Sequence, residues 1–229
     1  MSGSTTVRRG VPQGRFAIGL FILLVLSGFV LMYFDSRIQE PFEDILTKYV
    51  DDNFIGLHFF RYFGGPQTTI LACLLIWTLG AKNKRKLLLP YVVCLGIIGG
   101  FTDIAKDVIG RARPNKFDRQ LVFYPFPTAF TDDKASTSLP SGHATGAFAN
   151  ATFLSAMYPP AAPIFYTLAV GTALHRVEEG RHFSSDVVFG AVFGIYLSLA
   201  LQRLLRRRFG IEFHPENPDA AALGGTASP

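Results

Sequence analysis

The stretch LLLPYVVCLGIIGGFTDIAKDVIGRARP, residues 87–114, decides how this chain is to be read. Its apolar part is about 20 residues long, what a helix needs to cross the ~30 Å hydrocarbon layer of a bilayer. It then turns basic at Lys106, Arg111 and Arg113, just before Pro114. Working outward, comparable apolar blocks occur at Phe16–Phe34, Gly65–Ala81, Leu87–Ile109, Gly142–Tyr158, Ala161–Leu174 and Val187–Leu205. The pattern predicts an all-α, polytopic membrane bundle of six transmembrane helices. The fifth block is the shortest and is bracketed by Pro159, Pro160 and Pro163. The chain is 229 residues long and 49% hydrophobic, with those residues gathered in blocks rather than dispersed as a soluble core requires.

The first block follows Arg8, Arg9 and Arg15, so a cleaved secretory signal has to be weighed. The apolar run is too long for one, and Met32-Tyr33-Phe34-Asp35 offers no small-residue cleavage site, so an uncleaved first helix is expected. The net charge is +5, which in a soluble protein would suggest nucleic acid. Here the cations sit at membrane edges and no nucleic-acid partner is expected. Arg8, Arg9 and Arg15, then Lys82, Lys84, Arg85 and Lys86, then Arg203, Arg206, Arg207 and Arg208 fall on one side if six helices alternate. The density of Lys and Arg next to helix ends marks that side as cytoplasmic, with both termini there, in an inner membrane. Cys73 and Cys94 both fall inside apolar blocks and read as small buried hydrophobes rather than as a disulfide.

Residues 1–15 read as a loose lead-in, 16–208 as one membrane domain, and 209–229 as a disordered tail. Within Pro41–Phe63, Phe42, Ile45, Leu46, Tyr49 and Val50 recur at helical spacing, which predicts an amphipathic helix lying in the interface. Residues 110–139 carry Pro114, Pro125 and Pro127 and read as a long outer loop, with aromatics from Phe117 to Phe130.

Three clusters flank the apolar blocks. Lys106 and Arg113 are seven apart, nearly two helical turns, which predicts that both project from one helix face, with Pro114 ending the helix. Arg111, between them, reads as an ordinary interfacial anchor. Pro140-Ser141-Gly142-His143 opens the fourth block. Ser141 suits a helix N-cap, Gly142 allows close backbone approach, and first-turn N–H groups suit an anion. In Arg176-Val-Glu-Glu-Gly-Arg-His182-Phe-Ser-Ser-Asp186, His182 and Asp186 have i, i+4 spacing. A carboxylate there can accept one imidazole proton, fix the tautomer and leave the other nitrogen as a nucleophile. Each cluster alone has a bland reading: snorkelling cations, a cap, a capping Asp beside a histidine. Together, all on the side opposite the basic loops, they assemble a phosphate-transfer site, because charged groups at such positions are costly to keep. Glu178, Glu179 and Arg181 read as a solvated loop.

The order Lys106-x6-Arg113-Pro114, Pro140-Ser141-Gly142-His143, Arg176-x5-His182-x3-Asp186 resembles the three-part signature of the type 2 phosphatidic acid phosphatase (PAP2) superfamily. The resemblance covers Lys106–Asp186, and its three motifs keep their order and internal gaps. It implies that Lys106, Arg113 and Arg176 clamp the phosphate, helped by Ser141 and the Gly142 N–H. It also implies that His182 attacks phosphorus, oriented by Asp186, and that His143 protonates the leaving group and then activates water. One departure is His175, where many members place a serine before the arginine. Three cations could stand in for a metal, and no Asp/His set has metal-ligand spacing, so neither metal nor cofactor is expected. The expected substrate is a membrane lipid phosphate at the periplasmic face. Lipid A 1-phosphate is preferred, because the loop around Phe123-Tyr124-Pro125-Phe126 is similar to that of bacterial lipid A 1-phosphatases. Undecaprenyl diphosphate, phosphatidate and phosphatidylglycerophosphate stand as alternatives, as do a lipid-to-lipid phosphotransferase, a haloperoxidase-like oxidant and a non-enzymatic scaffold or transporter.

Overall fold

Apolar blocks that cannot expose backbone to lipid have one local solution, the helix, and a computed structural model shows it. The structure describes residues 13–49, 60, 62–114, 121–126 and 137–213. Helix α1 spans Gln13–Tyr49, α2 Pro66–Leu79, α3 Leu88–Ile109, α4 Gly142–Met157, α5 Ala162–Glu178 and α6 Ser184–Phe209, with a single turn at Lys82–Arg85 before α3. Among the described residues the only strand-like pairing is one bridge between Arg111 and Phe123.

Every predicted apolar block falls on a helix. Among the described residues three segments are long and apolar enough to cross a membrane by themselves: Phe21–Ile38 within α1, Lys82–Ile109 and Ser184–Phe209. Helices α2, α4 and α5 have 14, 16 and 17 residues, shorter than a full crossing. The outward surfaces are apolar: Leu23, Val30, Ile70, Trp77, Leu89 and Ile104 are each 60–73% exposed. In water such a surface would aggregate; hydrocarbon is the solvent it suits.

Two expectations shift. The segment from Pro41 does not start a separate helix. Instead α1 continues through Pro41 to Tyr49 as one 37-residue helix, about 56 Å long at 1.5 Å per residue and longer than the hydrocarbon layer. Residues 50–59 and 61, the remainder of the expected interfacial helix apart from Phe60, Tyr62 and Phe63, lie outside the described residues. At the other end, the expected tail begins with a packed segment. Phe213 is buried, with its ring centroid 5.1 Å from that of Phe153, and Arg206 Nε pairs with Glu212 at 2.8 Å. Residues 214–229 are outside the described residues, as are 1–12 of the lead-in.

The bundle centres on α4, which is rich in alanine and packs against α3, α5 and α6. Ala144, Ala147, Ala149 and Ala151 are fully buried. Facing them on α6 are Gly190 and Gly194, one helical turn apart. A Cβ on Gly194 would lie 2.4 Å from the Thr145 carbonyl oxygen, and one on Gly190 would lie 2.7 Å from that of Ser141. Membrane helices associate through such small-residue seams because lipid supplies no hydrophobic drive between them. This seam holds the start of α4 against the start of α6, which brings the second and third sequence clusters together.

Gly194→Ala should therefore cost about 1–3 kcal/mol of stability, the usual range for overpacking. Gly99→Ala, where an added Cβ meets nothing within 4 Å, should cost none. Thermal unfolding of both variants in detergent checks this; equal melting temperatures would contradict the seam.

Candidate active site

Helix α3 presents the first cluster. Its last turn carries Lys106, and it ends at Gly110, which sits at φ 61° and donates its N–H to the Lys106 carbonyl at 2.7 Å. Glycine adopts that left-handed geometry without penalty. A side chain there would also strike the Tyr124 carbonyl. The helix thus stops four residues before Pro114, and Arg113 projects from the following turn rather than from the Lys106 face. Its Nη2 donates to Thr137 Oγ1 at 3.3 Å. Lys106 Nζ lies 3.3 Å from Asp103 Oδ1 and sits on the open side of Gly142, where a Cβ would be 2.7 Å from it.

Ser141 caps α4 as expected, its hydroxyl accepting from the Ala144 N–H at 3.4 Å. Its own N–H donates to the Asp186 carbonyl at 3.0 Å, a direct tie between the second and third clusters. His143, half-buried in the first turn of α4, lines a cavity of about 1020 Å³ together with Lys106, Gly142 and Asp103. The rest of that wall is largely apolar, including Leu74, Trp77, Leu88, Val92 and Leu95 of α2 and α3.

His182 and Asp186 are buried at the start of α6, 3% and 0% exposed. The imidazole does not bond the carboxylate directly: Nδ1 is 3.8 Å from Asp186 Oδ2 but 2.8 Å from the Ser138 carbonyl. A carbonyl only accepts, so Nδ1 carries the proton and the lone pair is on Nε2. The Ser138 hydroxyl donates to Asp186 Oδ2 at 2.5 Å, and the Phe183 N–H to the same oxygen at 2.9 Å. Ser138 therefore couples the imidazole to the carboxylate through its own two polar groups. Burial lowers the His182 pKa below the ordinary histidine value, outweighing the upward pull of Asp186; the positive charges of Arg113 and Arg176 act in the same sense as burial.

Arg111 corrects the sequence reading outright. It is no interfacial anchor but is fully buried, with Nη1 donating to Asp186 Oδ1 at 2.6 Å and to Ser185 Oγ at 2.7 Å. Nη2 donates to Asp35 Oδ2 of α1 at 2.8 Å, and the guanidinium lies 4.3 Å from the Phe183 ring centroid. Glu178 and Glu179 are likewise more than a solvated loop. Glu178 Oε2 is 2.9 Å from Nδ1 of the buried His175, and Glu179 is ion-paired with Arg176. The structure thus groups Lys106, Gly142 and His143 on one cavity wall. Beside it Ser141 bonds the Asp186 backbone and Ser138 links Asp186 to His182, and the charges of Arg113 and Arg176 act on His182. Among the described residues no three His, Cys, Asp or Glu side chains are grouped to hold a metal. Ser138 and Asp35 escape a reading of local motifs; the last residue of the polar run Ser136-Thr137-Ser138 before Leu139-Pro140 and one Asp at the end of an apolar block are their only signals.

Residues 87–209, more than half of the chain, match the family model described as the PAP2 superfamily. The chain is 28% identical over 221 residues to a lipid A 1-phosphatase of Rhizobium johnstonii, covering 89% of this chain and 86% of that protein. It is 32% identical over 119 residues to one of Porphyromonas gingivalis, covering 50% of this chain and 23% of that protein. A similar fold is seen in a crystal structure of a transmembrane PAP2 type phosphatidylglycerolphosphate phosphatase from Bacillus subtilis. The TM-score is 0.57 at 20% identity, covering 82% of this chain and 98% of the other. With its three signature clusters gathered at one end of the bundle, the chain belongs to the PAP2 superfamily, as a membrane phosphatase that hydrolyses phosphoric esters.

Proposed function

We propose that this phosphatase removes phosphate from a membrane lipid at the periplasmic face, with lipid A 1-phosphate as the preferred substrate. The observation that carries the lipid reading is the cavity. Its polar end is Lys106, Gly142 and His143, and the wall below them is apolar side chains of α2 and α3. A headgroup phosphate joined to hydrocarbon fits that polarity; a soluble phosphate would leave the apolar wall uncovered. The lipid A preference is supported by the Rhizobium relative, which matches over most of both chains. The facing is supported by charge. Lys82–Lys86 precede α3 and Arg203–Arg208 end α6, so both basic runs lie at the helix ends opposite Lys106 and Asp186. With six helices alternating in direction, both termini lie on that cytoplasmic side.

Lys106, Arg113 and Arg176 meet the charge spread over the phosphoryl oxygens, with Ser141 and the Gly142 N–H beside them. Arg176 exchanges its Glu179 partner for phosphate on binding. His182 Nε2 forms a bond to phosphorus as the bond from phosphorus to the lipid oxygen breaks, and His143 gives that oxygen a proton. His143 then takes a proton from water, whose oxygen displaces Nε2 and releases phosphate. The Ser138 carbonyl and Asp186 stabilise the imidazole as it gains positive character. The cations supply the charge stabilisation that a metal would otherwise give.

Free phosphate should be released by the purified protein in detergent from a panel of lipid A 1-phosphate, undecaprenyl diphosphate, phosphatidate and phosphatidylglycerophosphate, fastest from the first, with a chelator present. His182→Ala should lower turnover at least about a thousandfold. Hydrolysis by that variant, or activity returning only when magnesium is added, contradicts the mechanism.

The pH profile tests the buried imidazole. A group with a lowered pKa stays neutral further into acid. The acid limb of kcat/KM, corrected for the substrate's own phosphate titration, should therefore fall below the ordinary histidine value of about 6.5. A limb above that value would mean that His182 is not the base-form nucleophile.

A further inference from the structure

Asp35 is fully buried, belongs to α1, and lies outside residues 87–209, the part of the chain that matches the family model. It accepts from the Ser185 N–H at 2.9 Å, from the Ser185 hydroxyl, and from Arg111 Nη2 at 2.8 Å. Arg111 donates with its other terminal nitrogen to Asp186 at 2.6 Å. A chain of charge-assisted bonds therefore runs from α1 through Arg111 to Asp186, then by way of the Ser138 hydroxyl and carbonyl to His182 Nδ1. The Ser138 N–H closes a loop by donating to the Arg111 carbonyl at 2.9 Å.

Two carboxylates and one guanidinium, each without solvent access, are costly to bury, and a well-packed apolar cluster would often hold the helices as well. Their geometry supplies something that apolar packing does not, which is direction. Asp186 Oδ1 is taken by Arg111 and Oδ2 by Ser138 and Phe183, so the carboxylate cannot rotate onto the imidazole. Arg111 in turn is held in place by Asp35 and stacked on Phe183.

We propose that Asp35 and Arg111 are positioning residues of the reaction: α1 sets the orientation of Asp186, and through Ser138 the tautomer of His182. The inference rests on the reading of His182 as the nucleophile. Asp35 acts through Asp186 and touches no substrate, so its loss slows phosphoryl transfer without weakening the phosphate clamp. Outer-shell partners of catalytic groups characteristically act in this way.

The test is steady-state and single-turnover release of an activated aryl leaving group from an aryl phosphate, which keeps slow variants measurable. It compares Asp35→Asn, Asp186→Asn and the double variant, with thermal unfolding in detergent and competitive inhibition by inorganic phosphate as companions. Asp35→Asn should lower kcat by about tenfold or more, with KM and phosphate inhibition within about twofold. In the Asp186→Asn background it should add almost nothing, because the two residues act as one unit. Arg111→Lys, which keeps the charge but loses the two-nitrogen bridge, should show the same kcat loss and supplies a second arm if Asp35→Asn does not fold. Wild-type kcat in Asp35→Asn, full additivity with Asp186→Asn, or failure of both Asp35→Asn and Arg111→Lys to fold would overturn the proposal and leave a structural staple. If His182→Ala keeps its activity, the nucleophile assignment itself fails; if it is dead while Asp35→Asn is unaffected, only this inference fails.

Discussion

A guanidinium sealed from solvent between two carboxylates constrains everything at the active end of this bundle. Arg111 lies between Asp35 and Asp186, with Ser185 bridging alongside. A charge buried in that way tolerates little displacement, because removing or moving one partner leaves the others uncompensated in a medium that cannot solvate them. Helix α1, the turn after α3 and the start of α6 are consequently locked to one another at the level of His182. The Ser141 N–H on the Asp186 carbonyl brings in the start of α4.

The remainder of the bundle is arranged to let those four chain segments meet. Alanines on α4 and Gly190 and Gly194 on α6 allow their backbones to approach closely, while α2 and α3 line a largely apolar cavity whose head is Lys106 and His143. The two halves do different work. One is a buried, hydrogen-bonded unit that holds an imidazole in one tautomer. The other is an apolar-walled space with a cation at its mouth, suited to a phosphate carried on hydrocarbon. Phosphoryl transfer asks for little covalent chemistry from a protein beyond positioning and charge, and this division supplies each in a different place.

Much of this architecture is legible in the amino-acid sequence. The six helical blocks follow from hydropathy, and the three clusters from residue types at fixed local spacings. The features that escape such a reading depend on packing between segments distant along the chain. Arg111 reads as one more interfacial cation, because its partner Asp35 is 76 residues away and nothing local pairs them. Spacing alone puts Arg113 on the Lys106 face, but Gly110 ends the helix early. The i, i+4 spacing of His182 and Asp186 implies a direct bond, whereas Ser138 stands between them, held there by its N–H on the Arg111 carbonyl. Pro41 suggests a break between two helices, yet α1 carries it on an exposed face, where one missing hydrogen bond is tolerated.

If the Ser138 carbonyl fixes the proton on Nδ1, His182 must react through Nε2, and the whole mechanism turns on that choice of nitrogen. Phosphorus NMR of the phosphoenzyme, trapped under alkaline denaturing conditions, reports which ring nitrogen carries the phosphoryl group. The predicted result is phosphorylation on Nε2 of His182 and none in His182→Ala. Phosphate on Nδ1, on another residue, or retained after His182 is replaced would contradict it.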